Sequence, residues 1–212
     1  MGAQVPKQEL ELDGKKIYRI TAERFSAFPG IDRILFVGAA DRLDEYRAGL
    51  AGIPNIMGVI AGGDERYDSV WNALEALKND PPAVVLMHDA VRPFVTGWTV
   101  AEVIREAHES GAATAAIPAT DTVFEVHDGL VTAISDRKTM WRVQTPQGFG
   151  YDLLRRAHEE FRTRGGETTD DTRLIRELGH PVRVVEGSAT NLKITRPEDL
   201  GVAAAIYREL KE

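Results

Sequence analysis

Residues 83–93 run Ala83-Val84-Val85-Leu86-Met87-His88-Asp89-Ala90-Val91-Arg92-Pro93. The run 84–87 is apolar without alternation, the pattern of a strand covered on both faces of a sheet rather than one with a wet side. It stops abruptly in an acid and a base. In open α/β sheets, ligands gather in the crevice beyond the carboxyl ends of the strands. Asp89 is therefore a candidate for a magnesium ion or a ribose hydroxyl, and Arg92 for a phosphate. A purely local account competes on even terms: Asp89 caps the next helix and Arg92 pairs with it on the surface.

Working outward, short apolar runs recur at 34–37, 56–60, 114–117 and 182–185, with helix-period segments between them. Thr99 with Glu102 has the form of a capping box. The stripe Val100, Val103, Ile104 and Ala107 follows, and Gly111 supplies a stop. Asp171 precedes a face of Leu174, Ile175 and Leu178 that ends at Gly179. Pro197 stands where a first-turn proline belongs, ahead of Leu200, Ala203, Ala204 and Tyr207. Such alternation predicts an α/β, doubly wound, mostly parallel Rossmann-like sheet covered by helices. No repeat, linker or low-complexity stretch divides residues 1–212, so a single domain is expected.

One segment departs from this rhythm. Extended runs at 122–126 and 130–134 flank His127-Asp128-Gly129, and Asp-Gly between such runs signals a hairpin. Residues 121–137 are accordingly expected to project as a β-hairpin arm.

Composition excludes several classes. Lys and Arg number 26 against 33 Asp and Glu, a net charge of −7, which argues against a nucleic-acid footprint. No apolar stretch approaches the roughly 18–20 residues of a membrane span. Residues 1–16 are polar and lack a signal-peptide core, so a cytoplasmic location is expected. Cysteine is absent, which excludes disulfides and thiolate metal sites. The five histidines (His88, His108, His127, His158, His180) have no zinc-like spacing and read as surface or internally satisfied residues.

Further short segments are weak individually. Gly62-Gly63-Asp64-Glu65-Arg66-Tyr67-Asp68-Ser69 follows a strand and opens a helix. Paired glycines let a backbone approach a ligand, though a tight turn with an ordinary cap fits equally, and the dinucleotide fingerprint is not met. Thr145, held extended by Pro146, can present a fixed hydroxyl from what reads as a loop. Lys193 in Asn191-Leu192-Lys193-Ile194-Thr195 is a snorkelling lysine or an anion ligand.

As an ordered set these pieces resemble the cytidylyltransferase family of the non-mevalonate isoprenoid pathway. The matched segments are Pro6-Lys7-Gln8, 62–69, His88–Phe94, 119–122, Asp136-Arg137, 144–149, 169–171 and 191–200, spread over nearly the whole chain. The resemblance implies transfer of a cytidylyl group from CTP to methylerythritol phosphate, with magnesium near Asp89. Gly63, Asp64 and Ser69 would recognise the cytosine, and Ala90 would lie by the ribose. Lys7 and Lys193 would neutralise charge on the α-phosphate. Arg92, Thr145, Thr122 and Arg137 would hold the acceptor. The family's hairpin arm interlocks two subunits, so a homodimer is implied, with Thr122 and Arg137 serving the partner's site.

The resemblance also has departures. Met1-Gly2 stands where the family's glycine-rich phosphate loop ends, so the chain as written lacks the first strand, that loop and one arginine. The expectation is an open lane in the middle of the sheet, low stability and feeble CTP turnover. Glu9 replaces an aromatic residue, and Arg19 lies in a stretch that is usually more apolar.

Two rivals remain. Residues 117–122 resemble the teichoic-acid branch that uses D-ribitol 5-phosphate, whereas Trp141-Arg142-Val143-Gln144 and 169–171 favour the isoprenoid branch. The other rival is a non-catalytic scaffold that has lost its phosphate loop.

Overall fold

The computed structural model describes residues 10–196 and 198–210. In chain order the elements begin with β1 (Glu11–Leu12), β2 (Lys15–Lys16), α1 (Ile17–Ser26), β3 (Ile34–Gly38), α2 (Leu43–Leu50) and β4 (Ile56–Ala61). There follow α3 (Arg66–Leu77), β5 (Val84–Met87), α4 (Gly97–Ser110) and β6 (Ala112–Pro118). The hairpin strands are β7 (Phe124–His127) and β8 (Leu130–Ile134). The chain closes with β9 (Trp141–Gly150), α5 (Tyr151–Arg164), α6 (Asp171–Glu177), β10 (Arg183–Glu186) and α7 (Asp199–Glu209).

The main sheet has the order β10-β6-β9-β5 and is mixed, with three strands in one direction and β9 alone reversed. β10 runs parallel to β6, while β9 is antiparallel to both β6 and β5. β3 and β4 pair parallel in a second sheet. Among the described residues no strand joins the β3 edge to the β5 edge. A groove of about 670 Å³ runs between them, lined by Phe36 and Val37 on one side and Leu86 and Met87 on the other.

β9 is the element the sequence concealed. Pro146, Gly148 and Gly150 all read as strand breakers. The β6–β9 register is irregular between Thr114 and Ala116, opposite the part of β9 that contains Pro146. A proline, with no N–H to donate, is tolerated at such an irregularity. Gly148 is required by packing: a Cβ there would lie 2.9 Å from Val103 and 3.0 Å from both Ala107 and Leu86. Thr145 therefore sits in a strand, not in a loop.

Helix starts shift by small amounts. α4 is capped by Thr96, whose Oγ1 accepts from the Thr99 N–H at 3.1 Å, so Thr99 is inside the helix and not its cap. Its C-terminus is as expected, with Gly111 in the left-handed region at φ 86°. Asp170 caps α6 in place of Asp171. Pro197 lies outside the described residues. Arg19 on α1 pairs with Glu23 at 2.9 Å and donates to the carbonyls of Gly49 and Ala51. It satisfies carbonyls at the end of α2, which explains a charge in that stretch.

The hairpin forms about Asp128 (φ 50°) and Gly129 (φ 78°), two positive φ values in succession as in a type I′ turn. Both strands are exposed, with Leu130 at 71% and Ile134 at 67%.

Candidate active site

The carboxyl end of β5 opens into a turn over 88–92, closed by the Arg92 N–H donating to the Asp89 carbonyl. Asp89 does not cap α4. Its Oδ2 meets Arg92 Nε at 3.1 Å and Lys193 Nζ at 3.1 Å. Arg92 and Asp89 are mostly buried, with side chains 11% and 23% exposed, so this is not a surface pair. Burial pushes the Asp89 carboxyl toward protonation, but Lys193 and Arg92 outweigh it and hold its pKa below the usual range.

Lys193 reaches this point because the segment 191–194 is bound to the turn. The Ile194 N–H donates to the Val91 carbonyl at 3.0 Å, and Arg92 Nη1 donates to the Asn191 carbonyl at 2.8 Å. Asn191 is buried, and its side-chain amide donates to the Thr145 carbonyl at 2.8 Å. Thr145 Oγ1 accepts from the Asp89 N–H at 3.1 Å. Segments 99 residues apart are thus joined beside one carboxylate.

On the opposite side of the groove, Gly62-Gly63 folds back on the start of α3. The Gly63 N–H donates to Ser69 Oγ at 3.1 Å. A Cβ on Gly63 would stand 2.3 Å from the Asp68 Cβ, so the close approach requires glycine. Asp64 is exposed. Ser69, Asp89, Ala90 and Thr145 all line the groove.

A buried set of polar groups supports this side. Gln147 Nε2 lies 3.1 Å from both oxygens of Asp170 and 3.0 Å from Thr172 Oγ1. Asp171, fully buried, takes a hydrogen bond from His158 Nε2 at 2.9 Å and faces Arg66 Nη1 at 2.6 Å. Burial opposes its ionisation, yet His158 and Arg66 keep its pKa low. Residues 169–171 thereby tie α5 and α6 to the residue that opens α3.

The other expected residues lie apart. Thr122 and Arg137 are exposed, and Arg137 Nη1 donates to the Thr120 carbonyl at 3.0 Å. No hydrogen bond or ion pair among the described residues ties either to the Asp89 cluster. Lys7 lies outside the described residues. His88, Gln144, Gln147 and Asn191 are the contributors that sequence reasoning passed over. All four fall inside matched segments, but only burial distinguishes them.

Comparison with known proteins decides the family. The family model described as IspD, 2-C-methyl-D-erythritol 4-phosphate cytidylyltransferase, matches residues 1–209. The chain belongs to this family. Among curated relatives it is 41% identical to the enzyme of that name from Geobacter metallireducens, covering 99% of this chain and 92% of that protein. It is 38% identical to the Thermotoga neapolitana enzyme, covering 99% and 91%. Among solved structures it is similar to 4-diphosphocytidyl-2C-methyl-D-erythritol synthase from Anaerococcus prevotii, with a TM-score of 0.88 and 29% identity over 98% of this chain and 92% of that one. The Thermus thermophilus cytidylyltransferase matches with a TM-score of 0.76 and 36% identity over 96% and 94%. This family member is a nucleotidyltransferase.

Proposed function

We infer that the protein transfers a cytidylyl group from CTP to 2-C-methyl-D-erythritol 4-phosphate and releases pyrophosphate. The observation that carries this is the Asp89–Arg92–Lys193 cluster at the carboxyl end of β5, in a chain of this family. A phosphate oxygen of the acceptor attacks the α-phosphorus in line, and the bond from that phosphorus to the bridging oxygen of pyrophosphate breaks. Two anions must meet, so the protein's task is neutralisation and alignment.

The roles follow from charge and position. Gly63, Asp64 and Ser69 contact the cytosine, and Ala90 the ribose. Lys193 and Lys7 neutralise the α-phosphate from two sides. Arg92 and Thr145 hold the acceptor. Asp89 fits a magnesium site: among the described residues its Oδ1 makes no hydrogen bond, and one carboxylate beside substrate phosphates suits that ion. The described residues contain no cluster of three or more metal-ligating side chains, so phosphates would complete the coordination. When bound, magnesium supplies positive charge to the phosphates.

Residues 121–137 act as a dimerisation arm, with Thr122 and Arg137 delivered to the partner's site. The support is exposure: Phe124, Val126, Leu130, Val131 and Ile134 are each at least 49% exposed on a two-stranded ribbon, which is marginal in water alone. Among the described residues no helix is long and apolar enough to cross a membrane. Both substrates are water-soluble phosphates, which suits a cytoplasmic site of action. Pyrophosphate release measured with CTP and either methylerythritol phosphate or D-ribitol 5-phosphate tests the assignment. Faster turnover of the ribitol ester would overturn the acceptor, and release with neither would overturn the function.

A further inference from the structure

His88 belongs to neither substrate in the roles above, yet its ring touches both residues proposed to hold the acceptor. Nε2 lies 3.0 Å from the Arg92 carbonyl oxygen, and Nδ1 lies 3.0 Å from Thr145 Oγ1. A carbonyl only accepts, so Nε2 carries the proton. In a neutral ring Nδ1 is then bare and only accepts, so the Thr145 hydroxyl donates to it. That leaves the Thr145 oxygen free to accept, and it takes the Asp89 N–H at 3.1 Å. Hydrogen-bond direction is thereby determined along the whole path: Asp89 N–H to Thr145, Thr145 O–H to His88, and His88 Nε2–H to Arg92. The Phe25 ring, 4.4 Å from the imidazole centre and tilted by 47°, covers the ring from the α1 side.

We propose that His88 is a positioning residue for the acceptor: one imidazole in its Nε2–H form sets both the Thr145 hydroxyl on β9 and the main chain of Arg92 after β5. The proposal rests on the cytidylyltransferase assignment. Its physical content is that two residues holding the acceptor, on separate chain segments, share one brace: with its proton given to His88, the Thr145 oxygen is left to accept from a hydroxyl of the polyol. Loosening the brace moves them together. The cytosine side, built on Gly63 and Ser69 across the groove, has no hydrogen bond to His88, and of the CTP contacts only Ala90 lies in the braced turn.

The three replacements of His88 separate its two bonds. His88→Phe keeps an aromatic ring against Phe25 and loses both hydrogen bonds. His88→Asn retains an acceptor where Nδ1 lies, and His88→Gln retains a donor that reaches toward Arg92. With CTP saturating, His88→Phe should raise KM for methylerythritol phosphate about 10- to 100-fold, the scale of two lost hydrogen bonds. KM for CTP should stay within about threefold. His88→Asn should recover much of the acceptor affinity. Combined with Thr145→Val, the His88→Phe change should add only the loss of the Arg92 bond, clearly less than its effect alone, because the Thr145 bond is already gone. Additive losses, or equal losses for CTP and the acceptor, would overturn the proposal. If the variants fail to fold, nitrogen NMR of the unaltered protein decides it: an Nδ1-protonated His88 is incompatible with the brace. An unaltered protein that releases no pyrophosphate with either polyol phosphate instead sinks the functional assignment, an outcome separable from these.

Discussion

The turn at 88–92 and the hairpin at 124–134 both follow short strands, yet they stand in opposite conditions. In the turn, Asp89, Arg92, Thr145 and Asn191 are held by bonds from three separate chain segments, and every one is at least partly buried. In the hairpin, five large apolar side chains face outward, and Arg137 beside it is held by one carbonyl. Groups that must be in place before the substrate arrives are braced within one chain. Groups meant for a second subunit have no reason to be braced until it docks.

The largest expected effect breaks the comparison at its braced end. Lys193→Ala should lower kcat on the order of 10²–10³-fold, the scale of one lost transition-state donor. A change confined to KM would mean ground-state binding only. Next comes the arm. Mixing Arg137→Ala subunits with Asp89→Ala subunits should restore one working site per mixed dimer, where each variant alone is nearly inactive. A monomer by light scattering at micromolar concentration that still turns over would place Arg137 outside the partner's site.

Acid should act on the braced end at intermediate cost. His88 keeps some exposed area, but desolvation lowers its pKa from 6.5 to about 4, opposed by the hydrogen bond to the Arg92 carbonyl and by the Asp89 charge, with the Arg92 charge a smaller help. Between these values the unfolded chain binds the extra proton, so stability is complete above pH 6.5 and falls as pH drops toward 4. The loss is about 2 kcal/mol after discounting for exposure. Chemical denaturation at pH 7 and pH 4.5 checks it, and His88→Phe should flatten the difference.

The smallest effect separates the two regions by backbone alone. Gly111 (φ 86°) and Gly129 (φ 78°) both occupy the left-handed region. Alanine at either costs about 1–2 kcal/mol locally. At Gly111 the new Cβ also meets the His180 ring at 3.1 Å, and thermal midpoint should fall by about 2–8 °C. At Gly129 nothing lies within 4 Å, and the midpoint should barely move while dimer affinity weakens. Equal shifts would show that the arm is part of the cooperative core.

The sequence by itself determined a good deal. Continuous apolar runs located β3, β4, β5 and β6 to within about two residues, because a strand covered on both faces has no polar face to disguise it; β10, an edge strand with three of its four residues exposed, was located by its valines. Asp-Gly between extended runs announced the hairpin, since few residue pairs tolerate two positive φ values. Asp89 and Arg92 were legible as candidates because they stand at the carboxyl end of a buried strand, where ligands gather, although a local cap and pair competed on even terms. Tertiary structure decided the rest. β9 looked like a loop because its Pro146 and glycines are permitted only by an irregular register and by close packing against α4, neither of which is a local property. The same strand brings Thr145 beside His88 and Gln147 beside Asp170. Arg19, which looked out of place, is explained only by carbonyls thirty residues away at the end of α2. Local sequence fixes what each backbone segment prefers, whereas the partner of a buried polar side chain depends on which distant segment the packing delivers to it.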